Sequence, residues 1–169
     1  MPKLIKNGAI VEDAWQILKL ADGETPAAVA LPDGPLLVPL SVWQTRKEEL
    51  LIRDRPIGVW LDAGEGPEAL ATDLAYFPVI AINFPKFADG RGYSTARLLR
   101  ERYAYTGELR AVGDVLRDQL YFMKRCGFDA YAVRADKDMD DALAGFNDFP
   151  ENYQAAFEPA QPLFRRRVA

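Results

Sequence analysis

The chain has 169 residues, of which 49% are hydrophobic and 27% charged, and its net charge is −4. That balance excludes a disordered chain, a collagen-like fibre and a coiled coil, and it fits one ordinary globular domain. There is no histidine and a single cysteine, Cys126, so imidazole catalysis, a His-ligated haem, an intramolecular disulfide, a four-cysteine iron–sulfur cluster and a zinc knot are all excluded.

Met1-Pro2-Lys3-Leu4 opens no signal peptide, and no stretch reaches the roughly 18 apolar residues that a membrane span requires. The lone thiol suits a reducing compartment, so a cytoplasmic location with no membrane partner is expected. Net acidity argues against a nucleic-acid partner.

In chain order, the first forty residues read as short strands and turns. Leu4-Ile5 and Ala9-Ile10 flank Asn7-Gly8, a dipeptide suited to a tight hairpin turn. Trp15 to Leu18 is a further strand, and Ala27 to Leu31 and Leu36 to Leu40 flank the turn Pro32-Asp33-Gly34-Pro35. We expect a small antiparallel β segment here. A helix follows from about Val42 to Arg53, with Ser41 as N-cap.

From Ile57 the pattern becomes βα. Strands are expected over Ile57 to Leu61, Val79 to Ile82, Gly107 to Val112 and Ala130 to Val133. Between them, Leu70, Leu74 and Phe77 recur at helical spacing, Ser94 caps a second helix, and Asp114 caps a third. Leu116, Leu120 and Met123 line that third helix, and Gly127 stops it. Asp138 opens a last short helix through Ala144. Such alternation predicts an α/β fold with an open, mainly parallel four-stranded sheet behind the antiparallel β segment. A half-barrel that pairs across a homodimer is the alternative. The expected organisation is residues 1–55 (β segment and helix), 56–150 (βα repeats) and 151–169 (tail), in one compact domain.

Parallel sheets bind ligands beyond the carboxyl ends of their strands. The loop from Phe84 to Gly92 is long for a βα connection and holds Lys86, Asp89, Gly90, Arg91 and Gly92, with Ser94 close behind. Two cations at a helix start favour a small anion. With Asp114 from the next strand, these residues form the candidate anion or ligand site. A competing reading has Asp89 capping backbone amides while Arg91 pairs with a carboxylate. Arg97, Arg100 and Arg117 are candidates for a partner-docking patch, against the plainer reading of a solvated helix face. Asp136 to Asp141 fails as a calcium loop, because Asp141 stands at the sixth position in place of glycine and Asn147 at the twelfth in place of glutamate. Neither those acidic residues nor any other set predicts a metal site. Cys126 reads as a buried structural thiol.

Three stretches carry a family resemblance: Phe87-Ala88-Asp89-Gly90-Arg91-Gly92-Tyr93-Ser94 with Ala96-Arg97-Leu98-Leu99-Arg100, then Gly113-Asp114-Val115-Leu116-Arg117-Asp118-Gln119, then Cys126-Gly127-Phe128-Asp129. Together they resemble a bacterial family of unknown function, encoded beside assimilatory sulfite reductase and labelled an oxidoreductase of sulfite reduction. The resemblance runs from about Val59 to the tail. It implies sulfur assimilation and an accessory role, as an electron-transfer or oxyanion-binding partner of the sulfite reductase haemoprotein. The residues leave flavin open as a cofactor, since flavin sites have no single short motif. An independent enzyme acting on an anionic substrate, or a non-catalytic binding module, are the alternatives.

Overall fold

The computed structural model describes residues 1–148 and Phe157. Its strands are β1 (Lys3–Lys6), β2 (Ala9–Glu12), β3 (Gln16–Ile17), β4 (Leu36–Pro39), β5 (Ile57–Leu61), β6 (Val79–Phe84), β7 (Glu108–Gly113) and β8 (Ala130–Tyr131). The helices are α1 (Leu40–Leu51), α2 (Arg91–Glu101), α3 (Arg117–Cys126) and α4 (Met139–Ala144). All eight strands join one sheet in the order β2-β1-β8-β7-β6-β5-β4-β3. From β3 to β8 each neighbouring pair is parallel, while β1 is antiparallel to both β8 and β2.

The order of these strands forces the sheet to curl. β2 and β3 are its two edges, yet only Asp13, Ala14 and Trp15 separate them in the chain. Eight flat strands about 4.8 Å apart would hold the edges about 34 Å from each other. A three-residue link reaches at most about 14 Å. The two edges also run in the same sense, so Ala9 to Leu18 is one bent, extended segment that changes partners midway. Its first half bonds to β1, ending with the Asp13 N–H on the Pro2 carbonyl at 2.8 Å. Its second half bonds to β4, through Gln16 N–H to Pro35 O at 3.0 Å and Leu18 N–H to Leu37 O at 2.9 Å.

Because the parallel strands follow one another in order, right-handed crossovers put α1, α2 and α3 on the same face. Ile57, Val59 and Leu61 of β5, Ile80, Ile82 and Phe84 of β6, and Leu109 and Ala111 of β7 alternate outward to meet Trp43, Leu99, Leu120 and Met123 from the helices. The concave face is smaller. Leu37, Val79, Ala81 and Val112 pack there with Trp15, Trp60 and Ala132. Gly58 makes that packing close: a Cβ on it would stand 2.5 Å from the Val79 carbonyl oxygen and 2.6 Å from Leu37 Cδ2.

The concave face also holds a chain of charges. The Arg110 side chain is 3% exposed and bonds to Glu108 at 2.7 Å and, through Nη1, to both oxygens of Asp13 at 3.0 Å. Lys6 closes on the far side of Glu108 at 2.7 Å. Asp13 in turn accepts the Trp15 N–H at 3.1 Å. The bend that lets one segment serve both edges is therefore fixed from inside by an arginine of β7.

Several expectations are corrected. The sheet is a mixed eight-stranded one rather than a parallel four-stranded one with a separate antiparallel segment, because the N-terminal strands extend the same sheet. β3 and β4 pair in parallel, and Ala27 to Leu31 forms no strand. The spacing of Leu70, Leu74 and Phe77 reflects two short 3-10 helices, Pro67–Leu70 and Leu74–Tyr76, that share one buried side. α1 begins at Leu40 with Pro39 as its N-cap rather than Ser41. α2 begins at Arg91, so Ser94 lies inside its first turn, and α3 is capped at Leu116 rather than Asp114. Gly127 does end α3, at φ +111°. The expected tail, residues 151–169, lies outside the described residues apart from Phe157.

Replacing Asp13 with alanine leaves Arg110 buried with one partner fewer. Removing one member of a buried pair costs about 3–5 kcal/mol. Denaturant unfolding of the Asp13→Ala protein should show a loss of that order, whereas Asp33→Ala, which removes an exposed pair with Arg55, should change stability by less than about 1 kcal/mol.

Candidate functional site

The loops that leave the carboxyl ends of β5, β6, β7 and β8 bring charged residues to one end of the sheet. After β5, the Asp62 carboxylate accepts the Asn83 side-chain amide at 2.9 Å and the Ala63 N–H at 2.8 Å. The Asp62 N–H donates to Glu65 at 2.8 Å. After β6, Asp89 accepts the Arg91 N–H at 3.2 Å, Nε at 3.0 Å and Nη2 at 2.6 Å. After β7 and β8, Asp114 accepts Arg134 Nη1 at 2.9 Å, while Arg134 Nε and Nη2 hold Asp136, each at 3.0 Å.

Lys86, Asp89 and Gly90 share one loop that runs into Arg91 at the start of α2, and Asp114 lies at the end of the adjacent strand, its N–H on the Phe84 carbonyl at 2.7 Å. The Asp114 carboxylate nevertheless turns to Arg134 rather than to Arg91. At the start of α2, where an anion was expected, the Asp89 carboxylate occupies the position itself. Arg91 remains 63% exposed on its side chain. Its Nη1 is 3.9 Å from where a Cβ on Gly64 would stand, which points that edge of the guanidinium toward the loop after β5. Lys86 is exposed on the same loop.

Gly92 has a different job from the one expected. A Cβ there would stand 2.7 Å from Phe84 Cζ and 3.0 Å from Ile82 Cγ2, so this glycine lets α2 lie directly on β6. Gly90 is the N-cap of α2, at φ −88°, and Ser94 is exposed in the first turn.

The three docking arginines have three different environments. Arg97 is exposed and pairs with Glu101 at 2.9 Å, one turn on. Arg117 bridges Asp141 at 2.6 Å and Asp148 at 3.0 Å. The Arg100 side chain is 7% exposed, and its guanidinium bonds to the carbonyls of Gly127, Tyr105 and Gly107, at 2.8–2.9 Å, and to Asp129 at 3.3 Å. It ties the end of α2 to the starts of β7 and β8 and presents no free edge to a partner. Burial raises the Asp129 carboxyl against the lowering pull of the Leu109 N–H and Arg100. Burial also raises the Cys126 thiol, against the pull of Arg97 and Arg125, which fits a structural thiol.

A feature that the sequence reading passed over lies beside this rim. Past Asp13 the bent segment leaves β1 for β4, and among the described residues no strand fills the wedge between β3 and the chain that continues from β8. A cavity of about 470 Å³ opens there, lined by Asp13, Trp15, Ile17, Ala132, Arg134 and Lys137 among others. The signal was present in the alternation Asp13-Ala14-Trp15-Gln16-Ile17, which puts the odd residues on one face. Its meaning depended on a strand order that no local pattern reveals. Among the described residues, no three acidic or cysteine side chains gather as a metal site, and no helix is long and apolar enough to cross a membrane.

Arg91 lowers the Asp89 carboxyl to about 2 through its side-chain and backbone hydrogen bonds. A depressed carboxyl stabilises the fold fully above the ordinary carboxylate pKa, and the contribution fades as pH falls through the folded value. A carboxyl-carbon NMR titration should therefore give Asp89 a midpoint near 2. In Arg91→Ala the midpoint should rise toward the ordinary value of about 4.

No curated protein and no solved structure matches this chain significantly. Residues 58–164, which hold β5 to β8, the loop with Lys86 and Arg91, and the Asp114–Arg134 pair, match the family DUF934, described as a bacterial protein of unknown function, and the chain belongs to that family.

Proposed function

We propose that this protein is a cytoplasmic accessory protein of assimilatory sulfite reduction that binds a small oxyanion at the rim and works with the sulfite reductase haemoprotein. The single observation that carries the binding half is the pairing of Lys86, on its exposed loop, with Arg91 at the start of α2, Nη1 of Arg91 being turned away from Asp89 toward Gly64. Asp89 takes only two of the donor groups on that fork. An oxyanion can accept from the remaining edge and from the Lys86 ammonium, in the forked geometry that guanidinium groups offer to oxyanions. Because Asp89 already neutralises Arg91, affinity is modest and selective for geometry rather than charge.

The accessory half rests on the sequence resemblance to a family encoded beside sulfite reductase. With one cysteine and no histidine, this chain lacks the thiolate sets that hold iron–sulfur clusters. Reducing equivalents then come from the partner or from a bound flavin. Docking through charge would rest on Arg97 and Arg117, whose guanidinium groups reach solvent, and would act mainly on the association rate.

Two measurements test the halves separately. Adding sulfite to the labelled protein should shift the amides of residues 86–94, and Lys86→Ala with Arg91→Ala should remove the response. A strain lacking the gene should grow poorly on sulfate and normally on cysteine. The haemoprotein should be recovered with the tagged chain at low salt and lost at high salt. Normal growth on sulfate together with no recovery at low salt would overturn the accessory role. Turnover of sulfite by the purified chain alone would favour an independent enzyme.

A further inference from the structure

We propose that the wedge between β3 and the end of β8 is a binding site for a small aromatic or apolar molecule that carries one anionic group. It is separate from the Lys86–Arg91 oxyanion site and does not depend on it, although Arg134 and its partner Asp136 belong to the same rim. Two independent observations carry the proposal. The first is the cavity, whose volume of about 470 Å³ lies in the range of roughly 300–1,000 Å³ usual for small-molecule sites. Its floor is apolar: Trp15, Ile17, Ala132 and Met139 line it. Ile17 is 38% exposed, although its register partner Leu37 is fully buried. An isoleucine on the inward face of a strand is left open at the place where, among the described residues, no strand continues the sheet.

The second observation is how Trp15 is held. Its backbone N–H rests on Asp13, Asp13 is gripped through both oxygens by Arg110, and Glu108 and Lys6 complete the chain. Buried ion pairs contribute little net stability compared with an apolar filling of the same volume, and their attested use is to fix one arrangement. What this one fixes is the turn that places the Trp15 side chain at the floor of the cavity. A preorganised aromatic wall lowers the ordering cost of binding.

The ligand's polar end follows from the cavity lining. Lys3, Arg134 and Lys137 border the cavity. Asp136 holds both Arg134 and Lys137, and Glu12 stands opposite Lys3 in the β1–β2 register. Arg134 is already held by Asp114 and Asp136 through all three of its nitrogens, so Lys3 and Lys137 are the two donor groups left for a ligand, and with charge largely balanced they suit a single anionic group better than a polyanion such as a nucleoside triphosphate.

The test uses two fluorescent probes on the full chain: anilinonaphthalene sulfonate, an aromatic body with one sulfonate, and uncharged N-phenylnaphthylamine. Both should bind saturably with one molecule per chain. Ile17→Glu changes an exposed side chain, so its melting temperature should stay close to the parent's, and it should weaken both probes at least tenfold. The double variant Lys3→Glu, Lys137→Glu should weaken the sulfonate about tenfold, the sum of two exposed charge contacts, and leave the uncharged probe within twofold. Non-saturable binding, or binding unchanged by Ile17→Glu in a folded protein, would overturn the site. Equal losses for both probes, or no loss for either, in the lysine variant would overturn its anionic specificity. A failure here leaves the sulfite response of residues 86–94 untouched, so the two readings are separable.

Discussion

One extended segment, Ala9 to Leu18, has to satisfy two sheet edges that would otherwise lie a sheet's width apart, and the rest of the molecule is arranged around that constraint. Curling the sheet lets the segment bond first to β1 and then to β4. Curling also divides the molecule into a wide outer face, which the helices cover, and a narrow inner face with room for small residues, two tryptophans and one arginine. Arg110 is the internal strut. A buried guanidinium costs several kcal/mol unless its donors are satisfied. Here Glu108 and Asp13 satisfy it from both sides, and Asp13 is the residue at which the segment changes partners.

The candidate site inherits its geometry from this arrangement. Parallel strands that follow one another in order must send their exit loops to the same end, which is why Asp62, Asp89, Asp114 and Asp136 lie along one rim. What the rim does with them is less simple than a row of cations awaiting an anion. Arg91 and Arg134 are each bound by carboxylates, so the rim is a set of local ion pairs with a few donor edges left over. An oxyanion at such a surface would be selected by shape and hydrogen-bond direction more than by charge.

The βα half of the fold was legible because its signals are local. Ile57 to Leu61 and Val79 to Ile82 are apolar runs of strand length, Gly127 marks a helix end, and Asp138 caps the last helix, accepting the Asp141 N–H at 2.7 Å. The N-terminal part was legible as strands but not as a partner of the same sheet, since sequential order in space is a property of pairing and not of pattern. The same limit hid the wedge beside Trp15. Among the site residues, Asp89 caps the Arg91 N–H and Arg91 pairs with a carboxylate, as the competing reading has it, but that this carboxylate is Asp89 itself was not legible in the sequence. Arg100 looked like any other helix arginine. Its burial follows from three carbonyls that converge only once α2 meets the starts of β7 and β8.

The central claim is that one segment closes the curled sheet by bonding to β1 and to β4 in the same molecule. Through-hydrogen-bond NMR couplings measure this directly on the labelled protein. The account predicts couplings from the Asp13 amide to the Pro2 carbonyl and from the Leu18 amide to the Leu37 carbonyl, both at full intensity in one sample. Detection of either coupling without the other, or a pairing of residues 16–18 with any strand but β4, would contradict it.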